Sequence, residues 1–273
     1  MVEKHVKLRR LGAIAVAAAA LTLAACSTGA GRRGVPPGTT QPDQYLFDKG
    51  QAALAQKKWI TAREFFKQVD ENYAQSPLRP DAKLAVGDTY LGEGSSEALV
   101  LAINAFGEFL SYYPTNPRAD YAQYKLAIAH LRQMRNPERD QTETRDAIRE
   151  LETFIARYPN STLMPEVKTR LREAKDRLST SDYLVGFYYF RSRWYPGALE
   201  RFTTILKNDP EYTNRDDVYF YLGESLIKLK REAEALPYFE KIVTEFEKSE
   251  HLDDAKKRID ELKAQAASKE TSQ

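Results

Sequence analysis

Cysteine is almost absent from this chain. Cys26 is the only one, so no disulfide can form within it, whatever compartment it occupies. Histidine is scarce too, and of the three only His130 and His251 lie beyond the first 25 residues. His130 stands where a packed aromatic is expected, which favours a core role over a catalytic one. No phosphate-binding glycine loop, nucleophile elbow or metal-spaced cluster is present. Gly92-x-Gly94 has no strand before it and reads as a turn. The expectation is therefore a protein with no catalytic residues, no metal and no cofactor. An excess of charge of either sign is missing as well. The 41 basic and 39 acidic residues become 37 and 38 once residues 1–25 are set aside, a balance that offers nothing to nucleic acid or to an acidic membrane surface.

A long hydrophobic run is also lacking. The uncharged stretch from Leu11 to Leu23 falls short of the roughly 20 residues that cross a hydrocarbon core. It follows Lys4, Lys7, Arg9 and Arg10, the charge order of a secretory signal peptide. It ends in Leu23-Ala24-Ala25-Cys26, which resembles the bacterial lipobox. The resemblance implies cleavage after Ala25, a diacylglycerol thioether on the Cys26 sulfur and acylation of the new amino group. At about 0.8 kcal/mol per buried methylene, two or three acyl chains hold a protein to a bilayer essentially permanently. Ser27 in place of Asp implies, by resemblance to Gram-negative sorting rules, the outer membrane with the domain facing the periplasm. The expected organisation is a signal peptide over 1–25, a lipidated flexible tether over 26–42, a folded domain over 43–266 and a disordered tail over 267–273.

Within the domain apolar residues recur at helical spacing, and strict alternation over strand length is hard to find, which predicts an all-α fold. Pro77, Pro114, Pro159 and Pro210 each follow such a stretch, where the ring and the missing N–H would stop a helix. The punctuation is regular because the sequence repeats. Ala62 and Phe66 lie 12 and 16 residues after Gly50, and the same offsets recur at Gly186, Ala198, Phe202 and at Gly223, Ala235, Phe239. A second unit, Gly87, Tyr90, Ala102, Phe106 and Pro114, carries three inserted residues; a third, Ala127, Ala147, Leu151 and Pro159, carries eight. Small residues at Gly50 and Ala62 suit two helices that cross closely, with Phe66 one turn further on the same face. No pair can bury its face alone, so about five pairs should stack into a solenoid, capped by the amphipathic stretch with Leu252, Ala255, Ile259 and Leu262 on one side. Val167, Leu171, Ala174 and Leu178 run into Tyr183 with helical spacing and predict one helix from about Pro165 to Arg193. Its weak point is Ser179 to Asp182, residues that prefer caps to helix interiors.

The units resemble the tetratricopeptide repeat, most closely in the fourth copy, where Gly186, Tyr189, Ala198, Phe202 and Pro210 all fall at consensus offsets. With the lipobox, the Tyr113-Pro114-Thr115-Asn116-Pro117 turn, the insertion-bearing stretch RNPERDQTETRDAIRELETFIARYPNS at 135–161 and KDRLSTSDYLVGFYYFRSRWYPGALERF at 175–202, the chain resembles the BamD-like lipoproteins of outer-membrane β-barrel assembly over roughly 43–247. The resemblance implies a non-enzymatic scaffold held to the membrane by its lipid alone. Its C-terminal half would contact POTRA domains of the barrel-inserting subunit and other assembly lipoproteins, and its N-terminal half would receive unfolded barrel proteins. Tyr45, Tyr90, Tyr121 and Tyr124 are the candidate lining of the substrate groove, each weighed against plain repeat core. Arg191, Arg193 and Arg201 are the candidate partner contacts, weighed against solvated surface charge. A repeat lipoprotein serving envelope division or secretin piloting shares this architecture and stays open. An envelope hydrolase finds no acid pair to support it.

Overall fold

The helical periodicity resolves into helices throughout. The computed structural model describes residues 34–271, and among these there are eleven α-helices and no strand. They are α1 (Pro42–Ala55), α2 (Trp59–Asn72), α3 (Arg79–Glu93), α4 (Ser96–Tyr112), α5 (Ala119–Leu131), α6 (Thr142–Arg157), α7 (Met164–Arg191), α8 (Tyr195–Asn208), α9 (Arg215–Lys228), α10 (Glu232–Glu245) and α11 (Leu252–Thr271). Each helix packs on the next, and the first helices of neighbouring pairs also meet, α3 with α5 and α7 with α9. The result is a tetratricopeptide-type solenoid of five pairs closed by α11.

The glycine–phenylalanine pairing explains why the two helices of a pair come so close. A Cβ added at Gly50 would lie 2.5 Å from the Phe66 ring; at Gly87, 2.6 Å from Phe106; at Gly186, 2.7 Å from Phe202; and at Gly223, 2.6 Å from Phe239. All four rings are fully buried, as are Ala62, Ala102, Ala198 and Ala235. The third pair solves the same problem with Ala127 and Leu151, both fully buried in one cluster with Phe154 and Val167.

Three apolar cores follow one another along the rod. The first joins α1 to α5, the small second one joins α5 and α6 to the start of α7, and the third runs from α8 to α11. Helix α7 is common to the last two: Val167 belongs to the second, and Tyr183, Tyr189 and Phe190 pack against the third. It runs unbroken from Met164 to Arg191, two residues short of the expected end. The Ser179–Asp182 stretch stays helical because its hydroxyls find partners. Thr180 Oγ1 donates 2.7 Å to the Asp176 carbonyl and shares a 2.9 Å bond with the Tyr212 hydroxyl, while Ser179 Oγ donates 2.7 Å to Asp209.

The turns between pairs repeat as closely as the helices. Ser76, Asn116, Ser161 and Ser249 each accept, through a side-chain oxygen, the N–H two residues on, at 2.8 to 3.2 Å. Ser76 and Ser161 also donate to Asp43 and Asp120 in the first helix of the preceding pair. Residues 34–41 belong to the expected tether, yet Val35 packs against the first core. At the other end, the tail expected to be disordered from 267 stays helical to Thr271, a correction that follows from helix propensity: Ala-Gln-Ala-Ala-Ser-Lys-Glu contains no Gly or Pro to stop the cap helix. Cys26, the signal peptide and residues up to 33 lie outside the described residues.

Candidate binding groove and partner face

The four candidate groove tyrosines all lie on first helices, Tyr45 on α1, Tyr90 on α3, and Tyr121 and Tyr124 on α5. The structure separates them into two kinds. Tyr45 is half-buried against the first core, with Lys49 Nζ 5.5 Å from its ring centroid. Tyr90 is buried, and the Arg63 guanidinium covers its ring at 3.7 Å while donating to Thr89 and pairing with Glu93. These two serve repeat packing, which leaves Tyr90 no free face for a ligand.

Tyr121 and Tyr124 converge instead around Lys125, whose Nζ stands 5.1 and 5.9 Å from their ring centroids. The Tyr121 hydroxyl donates 2.9 Å to Asp88 on α3, and the Arg118 guanidinium lies 5.1 Å from the centroid of the Tyr121 ring. The Tyr124 hydroxyl donates 2.5 Å to Glu166 on α7. Burial, reinforced by the Asp88 and Glu166 carboxylates, raises both phenols, Tyr124 to about 12, so both remain neutral donors. Burial also raises Asp88, only partly offset by the Tyr121 hydrogen bond and by Lys125 and Arg118. Beside Tyr124 opens a concavity of about 390 Å³ that adds Ile128, Leu131 and Met134 to the cations of Lys125, Arg132 and Arg170 and the acids Glu166 and Glu173. An apolar floor with charges of both signs at its edge suits an extended chain bearing aromatic side chains and free backbone groups. Lys125, Arg132, Arg170 and Asp88 were not singled out from sequence. Their convergence joins α3, α5 and α7, and only the first-helix register of the repeats could have located it.

All three candidate arginines are exposed, but only Arg191 and Arg193 lie at the turn between α7 and α8, whereas Arg201 stands further along α8 beside Gly186. Arg191 ends α7, with its guanidinium 5.9 Å from the Phe187 ring. Arg193 takes a left-handed conformation, φ 62°, in the tight turn, as Lys57 and Lys230 do at the same place in the first and fifth pairs. Arg201 is exposed on α8, and with Arg145 it counters the rise that burial imposes on Asp182. Around them Tyr188 is 66% exposed, Trp194 55% and Val185 37%. Helix lengths account for this bare aromatic surface. At about 1.5 Å per residue, the 28-residue α7 outruns the 16-residue α6 packed along it, so the second half of α7 has no preceding helix on its outer side. Trp194 is held edge-on to Tyr189 at 4.6 Å, and it fills the space where a Cβ on Gly197 would stand, 2.7 Å away.

Two clusters among the described residues set a histidine beside two carboxylates: His130 with Glu143 and Asp146, and His251 with Asp217 and Glu250. Local spacing gave no sign of either, since Asp217 reaches His251 across one repeat length. Among the described residues, no helix is long and apolar enough to cross a membrane.

Residues 39–235 match the family model described as "YfiO: Outer membrane lipoprotein". The chain is 26% identical over 228 residues to the outer membrane protein assembly factor BamD of Caulobacter vibrioides, covering 82% of this chain and 73% of that one. It is 24% identical over 180 residues to BamD of Vibrio cholerae, covering 62% and 73%. A putative BamD of Aquifex aeolicus is 25% identical over 226 residues, covering 80% and 69%. The family match covers most of the solenoid, and the chain belongs to the YfiO/BamD family of outer-membrane protein assembly factors.

Proposed function

We propose that this protein is a non-enzymatic adaptor of outer-membrane β-barrel assembly, anchored by lipid on Cys26 and facing the periplasm. It presents two surfaces. The face at Arg191, Arg193 and Arg201 docks a POTRA domain of the barrel-inserting subunit, with other assembly lipoproteins alongside. The concavity beside Tyr124, with Tyr121 on the other side of Lys125, receives an extended segment of an unfolded barrel protein. The observation that carries the reading is the exposure of Val185, Tyr188 and Trp194 in the same stretch of chain as the exposed Arg191 and Arg193. Tyr, Trp and Arg are the residue types that dominate binding energy when a partner desolvates them.

The test is mild detergent extraction followed by mass spectrometry of the intact complex. A POTRA-bearing barrel protein is expected among the partners, and its recovery should fall in a Tyr188→Ser, Arg201→Glu double variant. Extraction that never yields such a protein, or recovery indifferent to the double variant, would refute the docking assignment. For the anchor, Cys26→Ser should leave a precursor that takes up no palmitate label, and persistent labelling would overturn it.

A further inference from the structure

The two histidine clusters differ in what balances their acids. In the first, His130 Nδ1 lies 2.7 Å from Glu143, but Asp146 is already engaged by Arg149, which also reaches Glu150. That cluster is charge-compensated without a bound ion. In the second, His251 is 8% exposed, its ring stacked on Phe220 at 4.1 Å and 4° and met edge-on by Tyr221. The stacking fixes the imidazole plane, so that Nε2 points at Asp217 Oδ1, 2.9 Å away, and at Glu250 Oε1, 3.8 Å away. Among the described residues no lysine or arginine forms an ion pair with either carboxylate, and Asp216 adds a further negative charge nearby. Among the described residues, His251 is thus the only basic side chain set against these two carboxylates.

Three ligand atoms, one imidazole nitrogen and two carboxylate oxygens, lie within 4.8 Å of one another. With metal–ligand bonds of about 2.0 to 2.2 Å, donors around one ion sit about 3 to 4 Å apart, which small side-chain rotations provide here. We propose that Asp217, Glu250 and His251 bind a divalent transition cation of the zinc class. The imidazole selects that class over calcium and magnesium, which take all-oxygen shells. The site joins the first turn of α9 to the loop that leads into α11, so the ion would clamp the cap helix onto the fifth pair.

The experiment uses the mature chain without a polyhistidine tag, titrated with Zn²⁺ by calorimetry and followed by thermal unfolding. Zn²⁺ should bind at one equivalent and raise Tm, EDTA should reverse the shift, and Ca²⁺ or Mg²⁺ should produce none. Co²⁺ should give visible absorption of a nitrogen–oxygen ligand field. His251→Ala and the exposed Glu250→Gln should each weaken Zn²⁺ binding roughly tenfold or more, while His130→Ala leaves it unchanged. Glu250→Gln touches only a side-chain tip in solvent, so it keeps the test sound if His251→Ala unfolds. The proposal is overturned if the wild-type chain shows no Zn²⁺ response, or if affinity survives the loss of His251 or Glu250.

Discussion

Four pairs set a glycine against a phenylalanine, and the third sets Ala127 and Leu151 at the same places. The exchange adds a methyl group on one helix and removes a ring from the other, so the crossing is conserved as a volume and not as a residue. The third pair also carries the long loop between α5 and α6. Gln141 closes this loop by donating to the carbonyls of Asn136 and Arg139 while accepting from Thr144.

The strongest break in this comparison is deletion of a wedge. Phe239→Ala leaves a ring-sized void in a fully buried site and should cost about 3–5 kcal/mol, read as a fall in denaturation midpoint. Next comes Gly186→Ala, whose new methyl meets the Phe202 ring and should cost about 1–3 kcal/mol. Adding Phe202→Leu recreates the third pair's arrangement, so the double variant should be more stable than the two single losses predict. Simple additivity in that cycle would show that the third pair does not teach a rule. Ala198→Leu overpacks the same crossing from the other side at about 1–3 kcal/mol, and an unchanged Tm would contradict the role given to its small residue.

A subtler comparison sets the two halves against each other by pH. Burial raises Asp88 in the N-terminal half. Burial also works on Asp209, but the Arg172 and Ser179 hydrogen bonds prevail and hold it below the ordinary 3.8. A depressed carboxylate stabilises the fold above its unfolded pKa and loses that contribution as pH falls through the folded value. Tm should therefore drop on acidification below about pH 4, and Asp209→Asn should flatten that dependence. The smallest effect belongs to Arg118→Ala, which removes a half-exposed pair with Asp81 and should change stability by about 0–1 kcal/mol.

Periodicity carried most of the architecture. The five pairs, the cap helix and the continuous α7 follow from apolar spacing and small residues, because each depends on neighbours three, four or one repeat length away. What stayed hidden depends on substitutions within the repeat itself. Tyr73, Tyr113 and Tyr158 begin three of the four inter-pair turns and Phe246 the turn to the cap helix, but Asp209 stands there in the fourth inter-pair turn, and the aromatic has moved three residues on to Tyr212. That exchange ties the turn to Arg172, Ser179 and Thr180 in α7. The groove is similar: tyrosine positions were visible, yet which of them packs and which meets Lys125 depends on partners 30 to 40 residues distant.

Helix α7 has one consequence for how the two surfaces work together. Twenty-eight residues form a strut of about 42 Å, with the Tyr124 concavity against its first turns and Arg191 and Arg193 at its far end. Cargo and docking partner would then be separated by a fixed gauge with no swivel between them. A tilt imposed at one end reaches the other as a lever's swing, so that under the proposed function repositioning a docked insertase would carry a captured chain with it.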